Sequence, residues 1–254
     1  MQQTTGRLMP PCFKTGGGTA VRINADTEKI DKLSTIEMVT LFNNEDKKVA
    51  VIDASECPPT FGIDDNMIIG VISGGIEAVA GWKEETEDDE ELAVKDLKDR
   101  GLSEPDVVVG ISASGNTPYV LSGIRHASEL GCSTIGISCS EKGKLNGLTD
   151  ICITADVGPE AIEGSTRLKA GTAQKMILNM LSSCTMIKLG KTYGNLMANL
   201  RPISLKLKKR ALDIIMYAAG CSEEEALKAF EKAGGNARAA ILSLVNDSSK
   251  IEGD

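Results

Sequence analysis

Residues 106–139 read "DVVVGISASGNTPYVLSGIRHASELGCSTIGISC" and contain two short apolar runs on either side of a helical pattern. The runs at 106–112 and 132–139 are rich in β-branched residues and apolar on both faces, which is typical of parallel strands that helices cover on both sides. Between them, Thr117 as N-cap and Pro118 at the first helical position mark the start of a helix. The segment therefore predicts a strand–helix–strand unit.

Two further runs of the same kind, at 66–73 and 150–156, predict additional strands. Helical patterns separate the runs, so the predicted fold class is α/β with a doubly wound parallel sheet. Upstream of these strands, a capping box of Ser34 and Glu37 precedes an apolar face and predicts a helix over residues 34–48.

The chain divides into three predicted regions. Residues 1–30 are polar and glycine-rich and are predicted to be flexible, and residues 31–203 are predicted to form the α/β domain. Within that domain, the Met and Leu stripe of 170–190 predicts a long helix in the core or at a subunit interface, which favours a homodimer. After Pro202 the composition changes, and three short helical patterns predict a small helical domain over 204–254.

Composition excludes several classes of function. The 254 residues carry a net charge of −8, which argues against a nucleic-acid or membrane-surface footprint. No apolar run approaches the roughly 20 residues of a membrane span. Seven cysteines without a C-x-x-C pair predict free thiols in a reducing cytoplasm. The single histidine, His126, excludes a multi-histidine metal site, and no cofactor is predicted.

The loop between the first two runs is the clearest candidate for a binding site. It holds three hydroxyl side chains, Ser112, Ser114 and Thr117, together with Gly115 and Asn116, at the carboxyl end of a predicted strand and the start of a helix. Open α/β sheets bind ligands at that position, and helix N-termini attract phosphate. The alternative is a capped turn without a ligand. Residues 112–117 are called the anion loop below.

Two further segments carry candidate chemistry. Residues 158–175 bring Ser165, Arg167 and Lys169 together before a helix, where they form either an anion site or an ordinary surface loop. Seven carboxylates fall within residues 84–91, which is usually a solvated face, although crowded carboxylates can also supply a proton-transferring group.

A lone carboxylate, Glu56, precedes Pro58 and Pro59. Because proline lacks the backbone N–H group and has a fixed φ, this pair is expected to lie outside any helix interior. From the sequence pattern, Glu56 is either a helix-terminal charge or a fixed general acid.

Three blocks together resemble one family, the N-acetylmuramic acid 6-phosphate etherases, which have a sugar isomerase (SIS) fold. The blocks are "DASECPPTFG" at 53–62, the segment 106–139 quoted above, and "GPEAIEGSTRLKAGTAQKMILNMLSS" at 158–183. The resemblance extends over about residues 28–245. The glucokinase regulatory proteins share the fold and part of these motifs, and bind sugar phosphates without converting them.

The resemblance implies a reaction and the residues that perform it. The D-lactyl ether of the sugar phosphate is cleaved to N-acetylglucosamine 6-phosphate and D-lactate without a metal or cofactor. Glu56 matches the family's general acid, and Glu87, 31 residues later, matches its second essential glutamate. Ser112, Ser114 and Thr117 match the phosphate loop. Ser165, Arg167 and Lys169 are possible helpers, and a homodimer in the cytoplasm is expected.

Two departures from the family leave other readings open. Asn116 stands where most members have arginine. About 40 residues that hold the family's first strand and a second ligand loop are missing before Val51, so the sheet is expected to lack its first strand. The alternatives to an active enzyme are a sugar-phosphate-binding protein without turnover and an inactive truncated homologue. The C-terminal helices resemble a small ubiquitin-associated (UBA-like) bundle and are expected to support packing or dimer formation.

Overall fold

The computed structural model describes residues 21–25, 38–42, 47–75, 78 and 84–251. The strands of this part of the chain are β1 Val21–Ala25, β2 Met38–Phe42, β3 Ile68–Ile72, β4 Val107–Ile111, β5 Ser133–Ser138 and β6 Ile151–Ala155. The helices are α1 Lys47–Phe61, α2 Glu90–Asp99, α3 Pro118–Glu129, α4 Lys169–Lys188, α5 Leu205–Ala219, α6 Glu223–Lys232 and α7 Ala237–Ile251. Short 3-10 turns lie at Glu84–Glu87 and Lys144–Gly147.

The described strands form one sheet in the order β1-β6-β5-β4-β2-β3. β2 to β6 are parallel to their neighbours, whereas β1 is antiparallel to β6. The four strands predicted from the apolar runs are confirmed as β3 to β6. The parallel sheet of an α/β fold is thereby confirmed.

Two segments differ from their predicted structure. Met38–Phe42 was predicted as part of a helix, but it is a strand that pairs with β3 on one side and β4 on the other. Its β-branched and aromatic residues suit a strand, and pairing on both sides satisfies its backbone groups. Val21–Ala25 lies in the region predicted as flexible, yet it pairs along β6. The other residues of 1–30 and 34–37 lie outside the described part of the chain.

The side chains of β4 alternate between two apolar cores, one on each face of the sheet. Val108 packs with residues of α2 and α3, including Leu97 and Ile124. Its neighbours Val107 and Val109 point to the other face, where the core also contains α4 residues. Strand side chains alternate with a period of two, so this central strand is buried on both faces. The helices therefore cover the sheet on both sides, as a doubly wound fold requires.

Pro58 and Pro59 lie inside the last turn of α1, which corrects the expectation that they exclude a helix. Each proline removes one donor to the carbonyl group four residues earlier. The carbonyl groups of the two prolines have donors of their own, because Gly62 N–H donates to Pro58 O at 2.9 Å and Arg201 N–H donates to Pro59 O at 3.0 Å. The pair lies where α1 ends, two residues before its last residue, Phe61.

The three C-terminal helices share one apolar cluster. Ile215 of α5, Phe230 of α6 and Ile241 of α7 are buried together. A capping box begins α6, since the Ser222 hydroxyl oxygen accepts the Glu225 N–H and the Glu225 carboxylate accepts the Ser222 N–H. No helix of the described residues is long and apolar enough to cross a membrane.

Candidate active site

The hydroxyl groups of the anion loop bond to one another at the carboxyl end of β4. Ser112 Oγ lies 2.9 Å from Thr117 Oγ1 and 3.3 Å from Ser114 Oγ. The Gly115 N–H donates to Ser112 Oγ at 3.1 Å. Ser112 is 1% exposed and Ser114 is exposed, so the cluster leads from the interior to the surface. The structure thus brings the three predicted hydroxyl side chains into one network.

The first turn of α3 has no side-chain cap. Thr117 occupies the N-cap position, but its hydroxyl group bonds to Ser112 and accepts no helical N–H. Pro118 has no N–H, and the first helical bond runs from Leu121 N–H to Thr117 O at 3.0 Å. A helix N-terminus without a side-chain cap retains unpaired backbone N–H groups, which can donate hydrogen bonds to an anion.

Asn116 bonds to loop backbone through both ends of its amide group. Its Nδ2 donates to Ser114 O at 3.1 Å, and its Oδ1 accepts the Lys144 N–H at 3.2 Å. Its own N–H donates to Ser114 Oγ at 3.2 Å. An arginine at this position would offer a cation to the ligand, whereas Asn116 holds two loops together.

The turn that contains Glu87 is attached to the end of β3. Ser73, the residue after β3, has its Oγ 2.7 Å from Thr86 Oγ1. Gly74 lies so close to this turn that a Cβ there would be 2.9 Å from Thr86 Oγ1. Because the parallel strands share one carboxyl edge, the half-buried Glu87 lies at the same edge of the sheet as the anion loop.

The helices that follow these two segments are bonded to each other. Tyr119 of α3 is fully buried and donates its hydroxyl to Asp96 of α2 at 2.7 Å. Ser122 donates to the Glu90 carbonyl oxygen at 2.8 Å. The relative positions of the Glu87 turn and the anion loop therefore depend on the contact between α2 and α3.

Glu56 lies on α1, and its side chain is exposed. Asp53, three residues earlier on the same helix, accepts a hydrogen bond from the Ser182 hydroxyl group of α4 at 3.2 Å. Burial raises the pKa of the Asp53 carboxyl group and, with the Asp53 charge, raises the pKa of the Cys57 thiol to about 11. The structure shows no hydrogen bond or ion pair between Glu56 and the anion loop. Sequence reasoning missed the half-buried Asp53, since the sequence pattern does not distinguish it from the exposed Glu56.

The start of α4 is close to the anion loop, through the residue that follows β5. The Cys139 N–H donates to Ala113 O at 2.9 Å, and the Cys139 thiol contacts Ala170 O at 3.8 Å. The two predicted cationic helpers, Lys169 and Arg167, nevertheless make no hydrogen bond to the anion loop. The Lys169 ammonium group donates to Pro159 O at 2.7 Å, and Arg167 is exposed.

A carboxylate that sequence reasoning missed occupies the N-terminus of α4. Glu160 accepts the N–H groups of Ala170 at 2.9 Å and Lys169 at 3.0 Å. The hydrogen bond from Ala170, followed by the one from Lys169, stabilises the carboxylate and lowers the pKa of Glu160. Its signal in the sequence is an acidic residue a few positions before a helix. Ser165, which is half-buried, donates its backbone N–H to Ile162 O.

Two family descriptions match the chain. The SIS domain matches residues 90–183, and the glucokinase regulatory protein N-terminal SIS domain matches residues 48–128. A protein of Clostridium beijerinckii named N-acetylmuramic acid 6-phosphate etherase is 42% identical over 268 positions, covering 90% of this chain and 88% of that protein. The chain belongs to the N-acetylmuramic acid 6-phosphate etherase family.

The chain is also similar to a second etherase and to a solved structure. A Vibrio campbellii protein of the same name is 48% identical over 200 residues, covering 79% of this chain and 65% of that protein. Among solved structures, the Vibrio vulnificus NanR protein complexed with ManNAc-6P matches with a TM-score of 0.44 and 13% identity, covering 64% of this chain and 53% of that one.

The alignment with the Clostridium etherase contains a gap in this chain. It runs over 268 positions, whereas 90% of the 254-residue chain is about 229 residues, so about 39 positions lie opposite no residue. The Vibrio alignment uses 200 positions for 79% of the chain and leaves no room for such a gap. The etherase-family resemblance and the predicted internal gap are confirmed together.

The described residues offer no group of three or more His, Cys, Asp or Glu side chains placed to hold a metal ion.

Proposed function

We propose that this chain is a carbon–oxygen lyase that cleaves the D-lactyl ether of N-acetylmuramic acid 6-phosphate. The products are N-acetylglucosamine 6-phosphate and D-lactate. The observation that carries the proposal is the 42% identity over 88% of the length of an etherase. The hydroxyl-lined loop at the open N-terminus of α3 supports it, because this reaction requires recognition of a sugar phosphate.

The chemistry needs two proton-transferring groups. In the ring-opened sugar, the C2 proton is acidic because it lies next to the C1 aldehyde, and a carboxylate can remove it. The C3–O bond then breaks as an acid protonates the lactyl oxygen, and water adds to C3 of the unsaturated aldehyde. We propose Glu87 as the base and Glu56 as the acid, each contributing roughly 10²–10⁴-fold to the rate.

For substrate binding, we propose that the phosphate lies at the anion loop. The Ser112, Ser114 and Thr117 hydroxyl groups can rotate to donate to phosphate oxygens, and the free N–H groups of α3 add donors. Asn116 contributes by holding the loop. Ser165, Arg167 and Lys169 are proposed helpers, and Lys169 can assist only after its ammonium group leaves the Pro159 carbonyl oxygen.

We propose a homodimer as the working form. On α4, Met176 is 53% exposed, Ile187 is 55% exposed and Cys184 between them is exposed, which gives one apolar side of the helix without a cover. A second copy of the chain is the partner that the family resemblance implies. Sedimentation should show a dimer that M176E/I187E converts to a folded monomer. A wild-type monomer would refute the dimer.

The position of β2 in the sheet bears on which part of the family's structure the gap before Val51 removes. Because β2 pairs with both β3 and β4, we propose that the gap removes the family's second ligand loop rather than the strand position itself.

We propose residues 31–203 as the catalytic domain. We also propose 204–254 as a UBA-like bundle that supports packing, tied to α1 through Arg201. The six described cysteines are free, which supports a cytoplasmic location.

Release of D-lactate from N-acetylmuramic acid 6-phosphate tests the function. The wild-type protein should release D-lactate, and E56Q and E87Q should each lose on the order of 10²-fold or more in rate. E85Q, in the same acidic run, is the matched control and should retain activity.

The gap and Asn116 favour one second candidate, a protein that binds sugar phosphate without converting it. A folded wild-type protein that binds N-acetylglucosamine 6-phosphate in calorimetry and forms no D-lactate would establish that candidate and refute the etherase activity.

A further inference from the structure

The loop that follows β5 is packed directly on the anion loop. A Cβ at Gly143 would lie 2.7 Å from Gly115 Cα and 2.8 Å from Ser114 O, so the two backbones touch where no side chain fits. The Leu145 N–H donates to Gly115 O at 3.0 Å, and the Lys144 N–H donates to Asn116 Oδ1. Residues 140–146, called the bracing loop below, thus form the support on which the anion loop lies.

The shape of the bracing loop depends on the amide group of Asn146. Its Nδ2 donates to Ser140 O at 3.0 Å and to Glu141 O at 2.8 Å, which closes the loop on itself. Its Oδ1 accepts from Ser138 Oγ at 3.0 Å and from Thr154 Oγ1 at 3.0 Å.

The Asn146 oxygen is also anchored to the interior of the protein. It accepts from the Cys152 thiol at 2.9 Å, and burial raises the pKa of that thiol, which keeps it a neutral donor. Ser138, Cys152 and Thr154 are all buried at the ends of β5 and β6. One amide group therefore joins the end of the sheet to the loop that supports Gly115.

We propose that Asn146 is a positioning residue for phosphate binding at the anion loop. It acts through Gly143, which fixes the backbone of Gly115, and it touches neither phosphate nor the reacting atoms. The inference rests on the proposed function in one respect, namely that the anion is the phosphate of the substrate.

Pre-organisation matters at this site because the loop side chains include no cation. None of the side chains at 112–117 carries a positive charge, so binding depends on N–H and O–H donors held in a fixed arrangement. A loop that is already ordered loses less conformational entropy when the ligand binds. Releasing the support should therefore weaken phosphate binding while leaving the two proposed catalytic glutamates in place.

Two variants release the support in different ways. In N146D, a carboxylate oxygen faces the Ser140 and Glu141 carbonyl oxygens in place of the donor, and repulsion opens the bracing loop. In G143A, every Asn146 bond can remain, but the new methyl group collides with the Gly115 backbone; the φ of −68° at Gly143 suits alanine, so the effect is purely steric. G147A is the matched control, since nothing lies within 4 Å of a Cβ there.

Calorimetry with inorganic phosphate and with N-acetylglucosamine 6-phosphate measures the effect, alongside KM and kcat for D-lactate release. We expect N146D and G143A each to bind both probes on the order of tenfold more weakly, which for N146D is about the net contribution of one hydrogen bond. KM should rise by the same factor with kcat within about twofold of wild type. G147A should behave as wild type.

The outcomes separate this inference from the proposed function. Folded N146D and G143A proteins with wild-type affinity for phosphate would overturn the positioning role, as would a fall in kcat at unchanged KM. A wild-type protein that binds neither probe overturns it as well. If wild type binds phosphate, the variants bind it weakly and no D-lactate forms, the positioning role holds and the etherase activity fails.

Discussion

Replacing Tyr119 by phenylalanine removes one oxygen atom from the contact between α3 and α2. The tyrosine is fully buried, and its hydroxyl group donates to Asp96 at 2.7 Å. A hydrogen bond to a charged acceptor contributes about 1.5–3 kcal/mol. Asp96 is half-buried and can recover water, so the lower value applies, and we expect Y119F to lose about 1.5 kcal/mol of unfolding free energy. The melting temperature should fall by about 3–6 °C.

The same bond predicts how the loss depends on pH. Burial, and then the bond to Asp96, raise the pKa of Tyr119 far above its ordinary value of 10.0. The folded protein keeps the phenol proton above pH 10 and the unfolded chain loses it, so the stabilisation from Tyr119 is complete below pH 10 and declines as the pH rises further. The difference between wild type and Y119F should therefore shrink in alkaline solution.

Urea unfolding at pH 7.5 and at pH 10.5 measures both effects. Y217F is the matched control, because Tyr217 is 79% exposed and should lose no stability on the same change. Equal midpoints for Y119F and Y217F at pH 7.5 would refute the hydrogen-bond argument. A difference that stays constant up to pH 10.5 would refute the argument on the pKa.

Three further predictions concern α1, the cysteines and α6. Burial raises the pKa of Asp53, so the stabilisation that its protonated form provides is complete below about pH 3.8 and is lost as the pH rises through the pKa of the folded protein. D53N keeps an acceptor for the Ser182 hydroxyl group and carries no charge. In urea unfolding, D53N should therefore be more stable than wild type at pH 7 but not at pH 3. Iodoacetamide followed by mass spectrometry should modify exposed Cys184 well before Cys57, whose thiol pKa is raised to about 11; equal rates would contradict the burial. S222A should lower the unfolding free energy by about 1 kcal/mol through loss of the α6 cap, and an unchanged melting curve would show that the cap contributes nothing.

The missed predictions share one physical cause. "MVTLF" at 38–42 fits an apolar helix face as well as a strand, and the free edges of β3 and β4 on either side decide between the two. Proline is unfavourable inside a helix, yet the last turn of α1 contains Pro58 and Pro59, and its contact with the Arg201 backbone joins two segments far apart in the sequence.

The sequence by itself determined the features that local chemistry controls. The strand at 107–111, the helix that begins at Pro118 and the hydroxyl-rich loop between them follow from side-chain periodicity and helix capping, which act within a few residues. The motifs at 53–62 and 158–183 likewise indicated the etherase family. The tertiary structure alone decided that Gly143 supports Gly115, because that contact joins two loops that approach only after the strands pair.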